Sequence, residues 1–134
     1  MRLLIDTNII LEVILEQAKA KEARALLAKT EDHDFFISDF SLHSIGLILF
    51  RRNQHLTFQQ FLNDMITRSG TMLTSLSVED MESVIDAAQR FNLDFDDAYQ
   101  YVTAEKYNLT LVSFDSDFDR TERGRKTPAE VVPA

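Results

Sequence analysis

Short apolar or β-branched runs alternate with longer segments of helical spacing along this chain, and this alternation restricts the fold more than any other feature. The runs occupy residues 3–5, 35–37, 71–73, 110–112 and 131–132. Between them, apolar residues recur at the i, i+3, i+4 and i+7 positions that mark one face of a helix. Short strands that alternate with helices predict an α/β fold with a central parallel sheet of about five strands and helices on both faces.

Within the helical segments, apolar stripes predict the faces that pack against the sheet. The stripes are formed by Leu42, Ile45, Gly46 and Leu49, by Phe58, Phe61, Leu62 and Met65, and by Met81, Val84, Ile85 and Ala88. Three pairs have the spacing of an N-cap and a polar third helical residue: Thr57 with Gln60, Ser77 with Asp80, and Asp94 with Asp97. The last pair precedes a predicted helix over about residues 95–107.

Length and composition exclude several classes of protein. The 134 residues predict one domain over residues 1–134. The lack of cysteine removes disulfides, zinc–thiolate sites and thiol nucleophiles. No apolar run reaches the roughly 18 residues that span a bilayer, so we expect a cytoplasmic protein without a membrane partner. The net charge of −8 argues against a strongly electrostatic nucleic-acid binder, but it does not exclude an enzyme that holds nucleic acid briefly.

Three aspartates that are distant in sequence are expected to meet at one edge of this sheet. Asp6 follows the first strand, and Asp115 follows the strand at residues 110–112. All strands of a parallel sheet end at the same edge, where the ligands of open α/β sheets bind. A helix that leads into a parallel strand begins at that edge, which places Asp97 there as well. The topology therefore predicts that the three carboxylates converge.

Three converging carboxylates indicate a bound cation, because like charges within a few ångströms repel and burial increases the cost. Oxygen ligands without cysteine favour Mg²⁺ or Mn²⁺ over zinc. Such an ion lowers the pKa of a bound water and holds a phosphate oxygen, which suits hydrolysis of a phosphodiester bond. The alternative is a local role for each acid: Asp6 as a helix cap, Asp97 at the positive end of its helix, and Asp115 in a turn.

Three segments resemble one known family in their order and spacing. They are LLIDTNII at residues 3–10, DFDDAYQYVTAEKYN at residues 94–108, and LTLVSFDSDF at residues 109–118. Together they are similar to PIN domains, in particular to the VapC toxins of VapBC toxin–antitoxin pairs. The resemblance implies a doubly wound α/β fold and a ribonuclease whose acidic residues bind Mg²⁺ or Mn²⁺.

The resemblance also implies a role for each position of these motifs. It makes Asp6, Asp97 and Asp115 the catalytic acids and metal ligands. Asn8 is the partner in the D-x-N motif and Ser113 the hydroxyl residue of the T/S-x-D motif, and both are expected to orient a carboxylate or a water. Asp117 is a further candidate metal ligand, with solvation of a turn as the alternative.

One position departs from the family pattern. Many members resemble I-S-x-x-T-L-x-E-L on the third helix, and against ISDFSLHSIG (residues 37–46) the glutamate position falls on Ser44. That helix also leaves the acidic edge of the sheet. Asp39 and His43, one helical turn apart, are therefore candidates to compensate for the missing acid. Otherwise the site binds metal with three carboxylates, or catalysis is weakened.

The C-terminal segment is the basic part of an acidic chain. Residues 120–134 carry a net charge of +2, whereas residues 1–119 carry a net charge of −10. We expect this segment to form a basic loop and the last strand. Its cations are candidate contacts to a substrate phosphate near the metal, with a solvated loop as the alternative: Arg120, Arg123, Arg125 and Lys126.

Together with the resemblance to PIN domains, these features predict a metal-dependent endoribonuclease that hydrolyses RNA phosphodiester bonds as the toxin of a toxin–antitoxin pair. The resemblance implies RNA as the substrate, an antitoxin protein as a partner, and a homodimer. The alternative that Ser44 favours is a PIN-like module with reduced or lost cleavage that binds RNA or a protein partner. A phosphoacceptor receiver domain is disfavoured, because such a domain needs an acid pair after the first strand and a lysine after the last.

Overall fold

Four parallel strands form the central sheet in the computed structural model, which describes residues 1–132. The strands are β1 (Arg2–Ile5), β2 (Asp34–Ser38), β3 (Met72–Thr74) and β4 (Thr110–Val112), and their order in the sheet is β3-β2-β1-β4. In the central strand β1, Leu3 pairs with Phe35 of β2 and with Thr110 of β4. The predicted α/β architecture with a parallel sheet is confirmed.

The prediction of a fifth strand at residues 131–132 is wrong. Pro128–Val131 forms a short helix, α7. The Thr127 hydroxyl accepts a hydrogen bond from the backbone N of Glu130, and the Glu130 carboxylate accepts one from the backbone N of Thr127. This capping box, together with a proline in the first turn, favours a helical turn over an extended chain. Val131 and Val132 therefore pack against the core instead of extending the sheet.

The basic segment contacts the sheet before α7 begins. A single parallel bridge joins Val112 to Lys126. The backbone N of Lys126 donates to the O of Leu111 at 2.9 Å, and the backbone N of Ser113 donates to the O of Lys126 at 3.0 Å. This bridge holds the basic segment beside the carboxyl end of β4.

Helices cover both faces of the sheet. They are α1 (Thr7–Ile14), α2 (Ala20–Leu27), α3 (Asp39–Arg51), α4 (His55–Phe61), α5 (Met81–Phe91) and α6 (Phe95–Tyr107), followed by α7. Leu62–Arg68 continues α4 as a π-helical segment, and Val78–Asp80 and Ser116–Arg120 are 3₁₀ helices. Within residues 1–132, none of these helices has the length and apolar character needed to cross a membrane.

The side chains of β1 divide the core into two parts. Leu3 and Ile5 pack on one face of the sheet with residues of α1, α2, α3 and α4. Leu4 packs on the other face with residues of α5 and α6. All three side chains are fully buried. This burial on both faces explains why the strand is an uninterrupted apolar run.

Helix α4 begins two residues before the cap that the sequence predicted at Thr57. Its first residue is His55, and Gln54 is the N-cap. The chain leaves α3 through Asn53, which has a positive φ of 56°. The ring of His55 then packs against that of Phe50, with 4.3 Å between their centroids. The tight turn between α3 and α4 thus sets the start of the helix and leaves Thr57 inside it.

The other two predicted caps are confirmed. Ser77 and Asp80 form a capping box at the 3₁₀ helix that precedes α5. The Asp94 carboxylate accepts a hydrogen bond of 2.9 Å from the backbone N of Asp97. Because Asp94 caps α6, Asp97 is held in the first turn of that helix.

Candidate metal centre

The ends of β1 and β4 and the start of α6 line an open pocket of about 310 Å³. Asp6 directly follows β1, Asp115 lies in the loop after β4, and Asp97 lies in the first turn of α6. The structure brings these three predicted acids together in the pocket. The other residues that line it are Thr7, Asn8, Leu11, Phe40, Ser44, Ile48 and Asp96.

Asp6 is the most deeply buried of the pocket acids, with 6 % of its surface exposed. Its Oδ1 accepts hydrogen bonds from the backbone N of Thr7 at 2.8 Å and from Nε2 of Gln100 at 2.9 Å. Its Oδ2 accepts from Oγ of Ser113 at 2.7 Å and, more distantly, from Nδ2 of Asn8 at 3.4 Å. Burial raises the pKa of Asp6, and the hydrogen bonds from Gln100 and Ser113 oppose the rise. Asp6 thus both caps α1 and faces the pocket.

Ser113 and Asn8 connect the acids at the ends of β1 and β4. The Ser113 Oγ accepts hydrogen bonds from the backbone N of Asp115 at 2.9 Å and from Nδ2 of Asn8 at 3.1 Å. The Asn8 Oδ1 accepts one from the backbone N of Phe114 at 3.2 Å. These contacts tie the loop after β4 to the start of α1. An orienting role for Asn8 and Ser113 stays a prediction, and both residues contact the groups that they would orient.

Asp97, Asp115 and Asp117 each offer one carboxylate oxygen, and these oxygens all lie within 4.8 Å of one another. Burial, followed by the charge of Asp115, raises the pKa of Asp97 to about 7, and the charges of Asp94 and Asp6 add to the rise. The cluster therefore concentrates negative charge that a cation would stabilise. Its donors are all oxygen atoms, which fits Mg²⁺ or Mn²⁺.

Helix α3 directs Ser44 toward the pocket and directs Asp39 and His43 elsewhere. The α3 residues that line the pocket are spaced four apart: Phe40, Ser44 and Ile48. Asp39 and His43 line an adjacent groove, and the Asp39 carboxylate accepts a hydrogen bond of 2.8 Å from the Tyr99 hydroxyl. Successive helical residues point about 100° apart, so only one of these rows faces the acids. The structure therefore does not bring Asp39 and His43 to the acid cluster.

The side chain of Arg120 forms hydrogen bonds and an ion pair within the protein. Its Nε donates to the backbone O of Phe91 at 3.0 Å and its Nη2 to the O of Asn92 at 2.6 Å. Its Nη1 lies 3.1 Å from Oδ1 of Asp117. The guanidinium thus joins the C-terminus of α5 to an acid of the cluster.

The other candidate phosphate contacts lie along the same segment. Arg125 pairs with Asp119 through two N–H groups and donates to the backbone O of Ser113. Arg123 donates to the backbone O of Leu109 at 3.1 Å, and the backbone of Lys126 forms the bridge to β4. Substrate binding by these cations stays a prediction.

Gln100 is a residue of the site that the sequence pattern did not predict. Its side chain is buried, with 1 % of the residue exposed, and it contacts Asp6 directly. The one signal for it in the sequence is its position three residues after Asp97, since residues at i and i+3 share a helix face. Hydrogen bonds to a residue 94 positions away have no local signature in a sequence.

The fold and this site define a class of α/β protein in which a parallel sheet ends in a pocket of carboxylates. Residues 3–124 match the sequence model of the PIN domain. The chain therefore belongs to the PIN domain family, a family of nucleases. This membership confirms the resemblance carried by the three sequence segments.

Solved structures with the same fold include several toxins. A toxin–antitoxin complex from Klebsiella pneumoniae has a TM-score of 0.72 at 23 % identity, covering 95 % of this chain and 98 % of that chain. VapBC2 from Rickettsia felis, bound to a promoter DNA fragment, has a TM-score of 0.72 at 17 % identity, covering 94 % of this chain and 97 % of that chain. VapC20 from Mycobacterium tuberculosis, a sarcin–ricin loop cleaving toxin, has a TM-score of 0.72 at 18 % identity, covering 87 % of this chain and 92 % of that chain. No curated protein sequence is significantly similar to this chain.

Proposed function

We propose that this chain is a divalent-metal-dependent endoribonuclease and the toxin of a toxin–antitoxin pair. The observation that carries the proposal is the convergence of Asp6, Asp97 and Asp115 in one pocket of a PIN domain. Asp117 offers a further oxygen beside two of these acids. Hydrolysis of a phosphodiester bond is the reaction that such a carboxylate site, loaded with a divalent cation, would support.

The acids would hold one or two Mg²⁺ or Mn²⁺ ions. Their donor atoms are oxygens only, and the pKa of Asp97, raised to about 7, reflects burial and repulsion among negative charges that a cation would relieve. When bound, such an ion lowers the pKa of a water and stabilises negative charge on a phosphate.

The other residues of the pocket would orient the reacting groups and form an apolar wall beside them. Asp6 is held through both oxygens, and Ser113 ties it to the backbone of Asp115, so the Asp6 carboxylate and the backbone that carries Asp115 keep their relative positions. One wall of the open pocket is apolar, which lowers the local dielectric beside the acids and strengthens electrostatic interactions there. That wall is formed by Leu11, Phe40 and Ile48.

RNA and a protein antitoxin are the partners that this proposal assigns. VapC20 is described as cleaving the sarcin–ricin loop, and the protein from Klebsiella pneumoniae was solved as a toxin–antitoxin complex. Two apolar grooves leave surface for an antitoxin and for a second copy in a homodimer. One of about 460 Å³ lies between α1, α2 and α4, and one of about 450 Å³ lies along α3. We place the pair in the cytoplasm.

Cleavage of several structured RNAs, with Mn²⁺, with Mg²⁺ and with EDTA, tests the proposed activity. We expect cleavage that requires the metal and that Asp97→Asn reduces by at least about 100-fold. Asp86→Asn is the matched control, because it removes the same charge from an exposed residue of α5 that lines neither the pocket nor the two grooves. Equal cleavage by the wild type and Asp97→Asn would contradict the assignment of the site.

A PIN-like module with reduced or lost cleavage is the second candidate function. It is favoured by Ser44, which lines the pocket at the position where the family pattern has a carboxylate. A hydroxyl is a weaker ligand for a hard cation than a carboxylate. No cleavage of any RNA, together with a melting temperature that Mn²⁺ still raises, would support this module over the nuclease.

A further inference from the structure

We propose that Gln100 is a positioning residue of the metal centre: it occupies Oδ1 of Asp6 and so presents Oδ2 as the oxygen for a divalent cation. The inference rests on the proposed function, since it concerns the same centre. In this proposal, the buried amide of Gln100 determines which oxygen of Asp6 binds the metal.

Every polar atom of the Gln100 side chain has a partner inside the protein. Its Nε2 donates to Oδ1 of Asp6 at 2.9 Å and to Oγ of Ser41 at 2.9 Å. Its Oε1 accepts a hydrogen bond of 2.7 Å from the Ser38 hydroxyl. An amide has two N–H donors and one carbonyl oxygen. The site therefore matches the hydrogen-bonding groups of glutamine.

The contacts also determine which way the amide faces. An ionised carboxylate only accepts hydrogen bonds, so the nitrogen of Gln100 must point toward Asp6. Ser38 secures the other end, because its Oγ also accepts from the backbone N of Ser41 at 3.1 Å as the N-cap of α3. Gln100 thus joins α6 to the carboxyl ends of β1 and β2 beneath the acids.

The hydrogen bonds leave the two oxygens of Asp6 unequal. Oδ1 accepts a hydrogen bond of 2.9 Å from Nε2 of Gln100 and one of 2.8 Å from the backbone N of Thr7. These two bonds use both of its acceptor positions. Oδ2 receives one short bond from Ser113 and a long contact of 3.4 Å from Asn8. A contact of that length is weak, so Oδ2 retains capacity for a cation. Without Gln100, the Asp6 carboxylate would lose one of the bonds that fix its orientation, and Oδ2 would no longer be held in one position for the ion.

Mn²⁺ affinity, measured by isothermal titration calorimetry and by electron paramagnetic resonance, tests this role without reference to activity. Gln100→Met keeps the length of the side chain and removes its donors. We expect it to weaken Mn²⁺ binding by about 10-fold or more, the loss typical of residues that orient metal ligands. Thr103→Val is the matched control, because Thr103 is a fully buried residue of the same helix. Its hydroxyl bonds to the backbone O of Tyr99, away from the acids.

Both variants should lower the melting temperature, but only Gln100→Met should weaken Mn²⁺ binding. If Gln100→Met does not fold, Ser38→Ala replaces it, because this change frees Oε1 of Gln100 while leaving the amide in place. It should weaken Mn²⁺ binding less than the loss of the amide would, but more than Thr103→Val. Affinities equal to that of Thr103→Val overturn the inference alone. A wild-type protein that binds no Mn²⁺ overturns the proposed function and the inference with it.

Discussion

The Ser113 hydroxyl donates a hydrogen bond of 2.7 Å to Oδ2 of Asp6, although 107 positions separate the two residues in the sequence. Ser113 is fully buried, and its oxygen also accepts from the backbone N of Asp115. One hydroxyl thus connects the acids that follow the two adjacent strands β1 and β4. The Asp6 carboxylate and the backbone of Asp115 are thus held together by a side chain of the protein.

Replacing Ser113 by alanine should lower the free energy of unfolding by about 1–3 kcal/mol, because Asp6 loses its shortest hydrogen bond in a buried site. Urea denaturation monitored by circular dichroism measures the change. Ser116→Ala is the control at an exposed serine three residues away, where we expect less than about 0.5 kcal/mol. Equal effects of the two substitutions would show that the Ser113 hydroxyl does not stabilise Asp6.

The metal-free protein should become less stable as the pH rises from about 4 to about 7. The pKa of Asp97 is about 7 in the folded protein, above its ordinary value of 3.8, so between these values the folded protein binds more protons than the unfolded chain. The raised pKa of Asp6 acts in the same direction. Melting temperatures measured in EDTA from about pH 5 to about pH 8 should therefore fall.

Asp97→Asn separates this titration from other effects of pH. The variant lacks the carboxyl group whose pKa is raised, and it should show a smaller fall in melting temperature over the same pH range. Mn²⁺ added to the wild type should also reduce the fall, because the cation stabilises the ionised acids. The same pH dependence in the wild type and Asp97→Asn would be the contrary result.

Ser44→Glu should tighten Mn²⁺ binding by about tenfold, since an added carboxylate in the pocket increases the charge and the number of oxygen ligands. Isothermal titration calorimetry measures the affinity. His43→Glu is the matched control, because it adds the same side chain at a residue that lines the neighbouring groove and not the pocket. Unchanged or weaker binding by Ser44→Glu would mean that position 44 does not take the place of the family's glutamate.

Arg120→Ala should lower the free energy of unfolding by about 1 kcal/mol or more, because the guanidinium bonds to two backbone carbonyls at the end of α5. Thermal and urea denaturation measure this loss. Arg68→Ala is the control, since the pair that Arg68 forms with Asp64 is exposed and worth little. The contrary result is an unchanged free energy of unfolding together with weaker binding of RNA that also depends less on salt. That result would mean that Arg120 binds the substrate and does not stabilise the fold.

The sequence by itself determined the parallel sheet, the start of α6 and the convergence of the three acids. Each of these follows from a local pattern and one topological rule. Buried strands are continuous apolar runs, Asp94 has the spacing of a cap, and parallel strands share a carboxyl edge. The place of Asp6 at the end of an apolar run, together with Asp97 and Asp115 at the same edge, is therefore the basis on which the sequence predicts a site there.

Other features depended on the tertiary structure. The rotation of α3 about its axis is set by packing on the sheet, and it places Ser44 at the pocket while Asp39 and His43 line the groove beside it. At the C-terminus the reason is local: Thr127, Pro128 and Glu130 form a capping box that begins a helix where two valines had suggested a strand. The orientation of α3 thus reflects packing against other elements, whereas the helix at Pro128–Val131 reflects a local signal that the strand prediction did not weigh.

The hydrogen-bond partners of the site were decided only by the tertiary structure. Gln100 contacts Asp6, and Arg120 contacts the backbone carbonyls at the end of α5. In the sequence, Gln100 is one polar residue of a helix and Arg120 one cation of a basic segment. Their partners are set by side-chain geometry across separate elements, which the order of residues along the chain does not encode locally.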